Sequence, residues 1–138
     1  MLEKKDYTKW HKVKTTEHNG SLGPERGLNY KEGQIYWVSI GQNVGYEEDG
    51  KGKLFVRPVL VVRGYNRHIF LGVPLTTKNK AGMFYYNFKA KNSDIISVAI
   101  LSQIRTFDTA RISSRHPLGV VDGATLREIR ILLAKMIL

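Results

Sequence analysis

The apolar positions of this chain change period twice. Near the start, Tyr7, Trp10 and Val13 recur every third residue among Lys4, Lys5, Lys9, Lys12 and Lys14. That spacing predicts a short amphipathic helix whose apolar stripe either packs on the body of the protein or serves as a partner- or nucleic-acid-binding arm. Asn19-Gly20-Ser21-Leu22-Gly23-Pro24 then reads as a loop, because glycine and proline punctuate it. From Gln34 the pattern turns β-like. Ile35 to Ile40 is a β-branched and aromatic run, and Phe55 to Val62 is a second, with Pro58 near its start. A proline cannot donate to a strand ladder, so that end is expected at an edge or a bulge. Further strands are expected over His68 to Val73, over Phe84 to Phe88, and over Ile95 to Ile104. In the run Phe84 to Phe88 the alternation puts Phe84, Tyr86 and Phe88 on one face, read as sheet core. After Asp122, a good N-cap, Leu126, Ile129, Leu132, Leu133 and Met136 return at helical spacing. About five short strands and one long terminal helix point to an α+β, mainly β domain in which the helix packs on a small, curled, barrel-like sheet.

Charge narrows the class of partner. The 138 residues carry 22 basic and 12 acidic side chains, a formal net charge of +10. Such an excess favours a polyanion or an acidic protein surface. Residues 1–30 hold six of the basic and four of the acidic groups, so most of the excess belongs to the body of the chain and not to a basic tail. The absence of cysteine excludes disulfides, thiolate zinc sites and cysteine nucleophiles. The opening MLEKKDYTKW has no signal-peptide apolar stretch, and no window approaches the roughly 18 apolar residues of a membrane span. A cytoplasmic protein that does not enter membranes is the expectation.

Several chemistries lack their residues. His11, His18, His68 and His116 have no metal-ligand spacing, and neither a phosphate-cradling glycine loop of the GxxxxGK[ST] kind nor a GxSxG elbow occurs. No metal and no cofactor are expected. Three polar features stand out. Arg57 interrupts an apolar strand between Val56 and Pro58; taken alone it reads as a strand-end arginine turned to solvent. Thr76-Thr77-Lys78 follows the strand that ends at Leu75, where hydroxyls and a lysine suit a phosphate or merely a turn. Ser102-Gln103-Ile104-Arg105-Thr106-Phe107-Asp108 closes a buried strand, where an Arg105–Asp108 structural network competes with a site. The polar, glycine-rich stretch Gly41 to Lys53 is long enough to be a functional loop, and its Glu47, Glu48 and Asp49 read as solvated charges.

In combination these blocks resemble the MazF/PemK toxins of type II toxin–antitoxin systems. Gly33-Gln34-Ile35-Tyr36-Trp37-Val38 looks like the family's first strand. Asn43-Val44-Gly45, Arg57-Pro58-Val59-Leu60-Val61 and Val73-Pro74-Leu75-Thr76-Thr77-Lys78 look like its next blocks, in order. Leu101 to Asp108 resembles its best-marked signature, and Arg111 and the terminal helix also fit. The match covers residues 31–138, so the chain divides into an N-terminal extension, 1–30, and a toxin-like domain, 31–138.

The resemblance implies an SH3-like β-barrel (CcdB/PemK/MazF-like) with a long C-terminal helix, here preceded by a short helical extension. It implies a homodimer and a sequence-specific, metal-independent endoribonuclease that cuts single-stranded RNA to 2′,3′-cyclic phosphate and 5′-hydroxyl ends. It also implies a cognate antitoxin whose acidic, disordered C-terminal segment competes for the same basic surface. By resemblance Arg57 and Thr76 are the catalytic pair, with Thr77, Ser102, Gln103 and Arg105 supporting the pocket. Tyr46, Lys51, Lys53, Lys78 and Lys80 are the candidates for holding RNA. An arginine stays protonated and presents a planar fork, which suits a charge clamp and proton donor better than a base. Arg57 is therefore cast as stabiliser of the phosphorane, and Thr76 as a donor to a phosphoryl oxygen. Some relatives place an aspartate, an arginine and a histidine at the positions held here by Ser102, Ile100 and Tyr46, so no general base is assigned. Two other readings remain: a catalytically inactive module binding nucleic acid or antitoxin, and a gyrase poison of the CcdB kind, to which the arginine-proline and serine-glutamine-isoleucine-arginine blocks are less similar.

Overall fold

The computed structural model describes residues 3–20 and 27–138. Helix α1, Tyr7–Gly20, comes first. Strands β1, Gln34–Ser39, β2, Val56–Gly64, β3, Ile69–Thr76, β4, Tyr85–Lys89, and β5, Ile96–Ile100, follow. They are succeeded by β6, Arg105–Asp108, β7, Gly119–Val120, and the terminal helix α2, Gly123–Ile137. The seven strands form one curled antiparallel sheet in the order β4-β5-β3-β2-β1-β7, with β6 paired to β3. This half-barrel with a helix at each end of the chain agrees with the mainly β architecture expected of the sequence. Of the predicted loop Asn19 to Pro24, Asn19 and Gly20 close α1, and the rest lies outside the described residues.

The sheet buries both of its faces, which explains the continuous apolar run in β2. Leu60 and Val62 join Val73, Leu75, Ile129 and Leu133 in a core between sheet and α2. Val59 and Val61 face the other way, with Tyr36, Val38, Phe70 and Phe107. Each such leucine or valine removed from water contributes about 1.5–3 kcal/mol, so α2 is held mainly by its stripe. Asp122 caps that helix as predicted, its Oδ1 accepting from the Thr125 amide at 2.7 Å. Arg130 crosses back to the sheet edge, donating from Nε and Nη2 to the Val62 carbonyl at 2.9 and 2.8 Å, and from Nη2 to Glu32 at 2.8 Å.

Three details differ from the sequence reading. The expected strand from Ile95 to Ile104 is two, β5 and β6, separated by a 3-10 turn at Leu101–Gln103; the apolar run is continuous because the turn itself buries Leu101. Of the expected core triplet, Phe88 is buried and Tyr86 packs on the core, whereas Phe84 lies before β4 and stays exposed. Pro58 sits in a central strand. It pairs with Trp37 of β1, but the β2–β3 ladder begins only at Val59, so the proline occupies a stretch laddered on one side.

Candidate functional site

Arg57 is not turned to solvent. Its side chain is only 13% exposed, because β2 directs it under the loop that joins β1 to β2. All parts of the guanidinium are engaged. Nε donates to the Asp49 carbonyl at 3.0 Å, Nη1 donates to the Leu75 carbonyl at 3.2 Å, and Nη2 lies 3.0 Å from Glu48 Oε2. Leu75 is the residue before Thr76, so this contact ties Arg57 to the β3 backbone next to Thr76. Thr76 ends β3, half-buried, and its Oγ1 accepts from the Lys78 amide at 3.2 Å.

The loop over Arg57 is tightly fastened. Asn43 is its staple: the amide donates to Asp49 Oδ1 at 2.7 Å, and Nδ2 donates to the Ile40 and Glu48 carbonyls at 3.0 and 2.7 Å. Gly50 permits the close return of the chain, since a Cβ there would lie 1.6 Å from the Phe55 carbonyl oxygen. Glu48 and Asp49, expected as solvated charges, are therefore half-buried partners of Arg57 and Lys5. The sequence hides this because both pairings depend on how the loop folds back. Glu47 remains exposed, accepting from the Val44 amide at 2.9 Å.

Of the predicted supporting residues, Gln103 and Arg105 join the site. Gln103 Oε1 accepts from the Glu48 amide at 3.4 Å, and both side chains line a small cavity of about 60 Å³ with Asn43, Glu47, Glu48 and Pro74. Arg105 lies 4.7 Å over the Phe107 ring, while Asp108 caps the turn after β6 by accepting from Ala110. The two are thus turned to different tasks and do not form the expected network. Burial, with help from the nearby Arg111 charge, lowers the Arg105 pKa, opposed by Glu47. Thr77 and Ser102 are exposed, as are Lys51, Lys53, Lys78 and Lys80, and Tyr46 is 83% exposed. These lysines are thus surface side chains and do not line the small cavity. A larger cavity, about 280 Å³, lies between Glu17, His68 and Arg115, and Arg57 does not line it.

Sequence reasoning missed the residues that reach this site from α1 and from the segment just before it. Lys5 Nζ donates to the Asn43 and Gly45 carbonyls and pairs with Asp49 at 2.9 Å, while Tyr7 Oη donates to the Asn43 carbonyl at 2.9 Å. Trp10 is buried against Phe55, as the packing reading of the N-terminal stripe expected. Only Tyr7 and Trp10 of that reading carried a signal; nothing local marks Lys5 among its neighbouring lysines. Among the described residues no three His, Asp or Glu side chains converge as a metal-ligand set, and no helix is long and apolar enough to cross a membrane.

A small basic half-barrel of curled antiparallel sheet with a helix at each end is the architecture of the toxin class whose sequence blocks were noted above. The chain belongs to the PemK-like, MazF-like toxins of type II toxin–antitoxin systems, whose family model matches residues 31–137. Its fold is similar to that of MazF from Deinococcus radiodurans, with 21% identity over 78% of this chain and 96% of that one, and a TM-score of 0.61. It is also similar to an endoribonuclease from a mycobacterial species in complex with its cognate antitoxin, with 20% identity over 78% of this chain and 94% of that one, TM-score 0.56. A MazE–MazF complex from Deinococcus radiodurans shares 19% identity over 78% of this chain and 95% of that one, TM-score 0.56. No match is found among curated proteins.

Proposed function

We propose that this toxin is a sequence-specific endoribonuclease that cuts single-stranded RNA in the cytoplasm without a metal. The observation that carries the reading is the seat of Arg57: a largely covered, fork-shaped cation whose Nη2 holds a half-buried carboxylate, the place a phosphate would take. In the proposed reaction the RNA 2′-oxygen loses its proton and bonds to the adjacent phosphorus. The P–O5′ bond then breaks, and the departing 5′-oxygen takes up a proton. The products are a 2′,3′-cyclic phosphate and a 5′-hydroxyl. Negative charge grows on the phosphoryl oxygens between these events, and fixed donors aimed there lower the barrier. Arg57 supplies the charge and stands as the candidate proton donor. Thr76 Oγ1 supplies a further hydrogen bond, with Gln103 and Arg105 shaping the pocket.

The exposed side chains fit a single strand. Exposed Tyr46 offers a face on which an unstacked base can rest, and Lys51, Lys53, Lys78 and Lys80 offer charges to the backbone. The same basic surface suits an acidic antitoxin segment, so inhibitor and substrate exclude each other. Residues 31–138 are read as the toxin domain proper and 1–30 as its extension. The apolar side chains Trp37, Leu118 and Val120, exposed along the β1–β7 edge, are the surface offered for a homodimer.

Incubating the protein with a long single-stranded RNA in EDTA, and mapping the fragment ends, tests the reading. Cuts at one short motif with 5′-hydroxyl ends are expected. Intact RNA from folded, antitoxin-free protein would leave a binding module in its place.

A further inference from the structure

Helix α1, the segment just before it and the loop over Arg57 form one continuous chain of contacts. Lys5, only 14% exposed, spends its charge on Asp49 and on two loop carbonyls. Tyr7 adds a hydrogen bond to the Asn43 carbonyl. Asp49 in turn accepts from the Asn43 amide and gives its own carbonyl to Arg57 Nε. The neighbouring residue, Glu48, places its carboxylate on Arg57 Nη2. Trp10 anchors the helix behind these contacts, 5.7 Å centroid to centroid from Phe55 in an edge-to-face packing.

A phosphodiester approaching Arg57 at Nη2 meets the Glu48 carboxylate, while Nε and Nη1 each already donate to a carbonyl, of Asp49 and of Leu75. Displacing Glu48 requires the loop to lift. The loop is bound to Tyr7 at the start of α1 and to Lys5 just before it, so lifting it also breaks contacts across more than thirty-five residues of sequence. We infer that the start of α1 and the segment before it form a built-in latch: Lys5 and Tyr7 hold the 43–49 loop closed, with Glu48 standing in for the RNA phosphate on Arg57. The inference rests on the ribonuclease reading for its consequence, but not for its geometry. The closed state taxes every anion that needs Arg57, since apparent affinity falls by the fraction of molecules that are open.

The test uses the full chain and three variants, Lys5→Met, Tyr7→Phe and Lys12→Met. Lys12 is exposed on α1, so its variant reports the loss of one charge alone. Two readouts need no cleavage: amide hydrogen exchange over the loop 43–49, and binding of a 2′-O-methyl oligoribonucleotide, whose blocked 2′-oxygen cannot react. Lys5→Met is expected to speed loop exchange by about five- to tenfold, the scale of losing a partly buried ion pair with its hydrogen bonds. It is expected to bind the oligonucleotide severalfold more tightly than the parent despite the lost charge. Tyr7→Phe should shift both in the same direction by less, and Lys12→Met should leave exchange unchanged and weaken binding slightly. Unchanged exchange in Lys5→Met would overturn the latch. Faster exchange with binding no tighter than that of Lys12→Met would overturn it too, making the helix a support for the substrate and not a restraint. Cleavage of unmodified RNA is read separately; its absence in every variant would remove the ribonuclease reading while the exchange and binding results still decide the latch.

Discussion

The indole of Trp10 occupies the space that a side chain at position 41 would need. A Cβ on Gly41 would lie 2.2 Å from Cε2 of the ring, and Gly41 has φ +87°, a region that disfavours L side chains. The glycine is thus what lets α1 dock on the chain just after β1, at the foot of the loop over Arg57. Gly41→Ala is expected to cost about 3 kcal/mol of stability from overpacking and backbone strain together, or to expel α1 from its seat. Urea unfolding measures the first, and a red shift of the tryptophan emission at zero denaturant marks the second. An alanine variant with parental stability and emission would show that the contact yields cheaply.

Removing the Arg57 side chain should affect chemistry far more than folding. Arg57→Ala is expected to lower the RNA cleavage rate by at least 100-fold, about 3 kcal/mol in barrier, comparable to deleting one oxyanion donor. Its stability should fall by only about 1 kcal/mol, because Glu48 keeps access to water. Arg57→Lys keeps the charge but loses the fork, so most of the deficit should persist. Parental cleavage by folded Arg57→Ala would return Arg57 to a structural role.

Glu48 offers the complementary change. If its carboxylate caps Arg57, Glu48→Gln weakens the cap and raises cleavage severalfold at low RNA concentration. Single-turnover rates across an RNA titration distinguish this from an effect on chemistry. Loss of cleavage in a folded Glu48→Gln protein would instead make Glu48 a participant in the reaction.

Two glutamates should respond to pH with opposite signs. The Gly64 amide, and then Arg130, hold the Glu32 pKa below its ordinary value. A depressed folded pKa means that the unfolded chain binds the proton more readily. The Glu32 contribution is therefore present above the unfolded value of about 4.3 and is lost as pH falls through the lower folded value. Glu17 is the reverse: burial raises its pKa, against the Ser39 hydroxyl and the Arg111 charge. Its ionisation therefore costs stability, and the cost appears as pH rises past the unfolded value towards the folded one and persists at neutral pH. Melting temperatures measured from about pH 3 to 7 should show Glu32→Gln less stable than the parent near neutrality but with a flatter acid limb. Glu17→Gln should be more stable than the parent near neutrality and equal to it in acid. The opposite ordering for either variant would refute its assignment.

Much of the fold was legible because its signals are local. The Asp122 cap needs only the three residues that follow it, and the α2 stripe needs only helical spacing. The β-branched run over Ile35 to Ile40 matches β1 to within a residue or so at each end. The single strand expected from Ile95 to Ile104 failed for the same local reason: a 3-10 turn that buries its leucine keeps the run apolar, and apolarity alone does not distinguish a turn in the core from a strand in it.

The candidate site divides along the same line. Arg57, Thr76, Gln103 and Arg105 could be named because each sits in a short block that resembles the MazF/PemK pattern, in the same order, and the charge composition favoured an anionic partner. What those residues touch was decided by the tertiary structure. Lys5 meets Asp49 across 44 positions, and Gln103 meets the Glu48 amide across 55. Pairings of that separation arise from chain reversal and leave no periodic trace, which is why Glu48 and Asp49 read as solvated loop charges until the loop closed them over Arg57. The chain's composition thus determined that this protein is basic and its local patterning that it is mainly β, while the resemblance to the MazF/PemK blocks singled out Arg57. Only the folding of α1 against the first long loop decided that the arginine would be covered, since burial and ion pairing depend on distance in space and not on order along the chain.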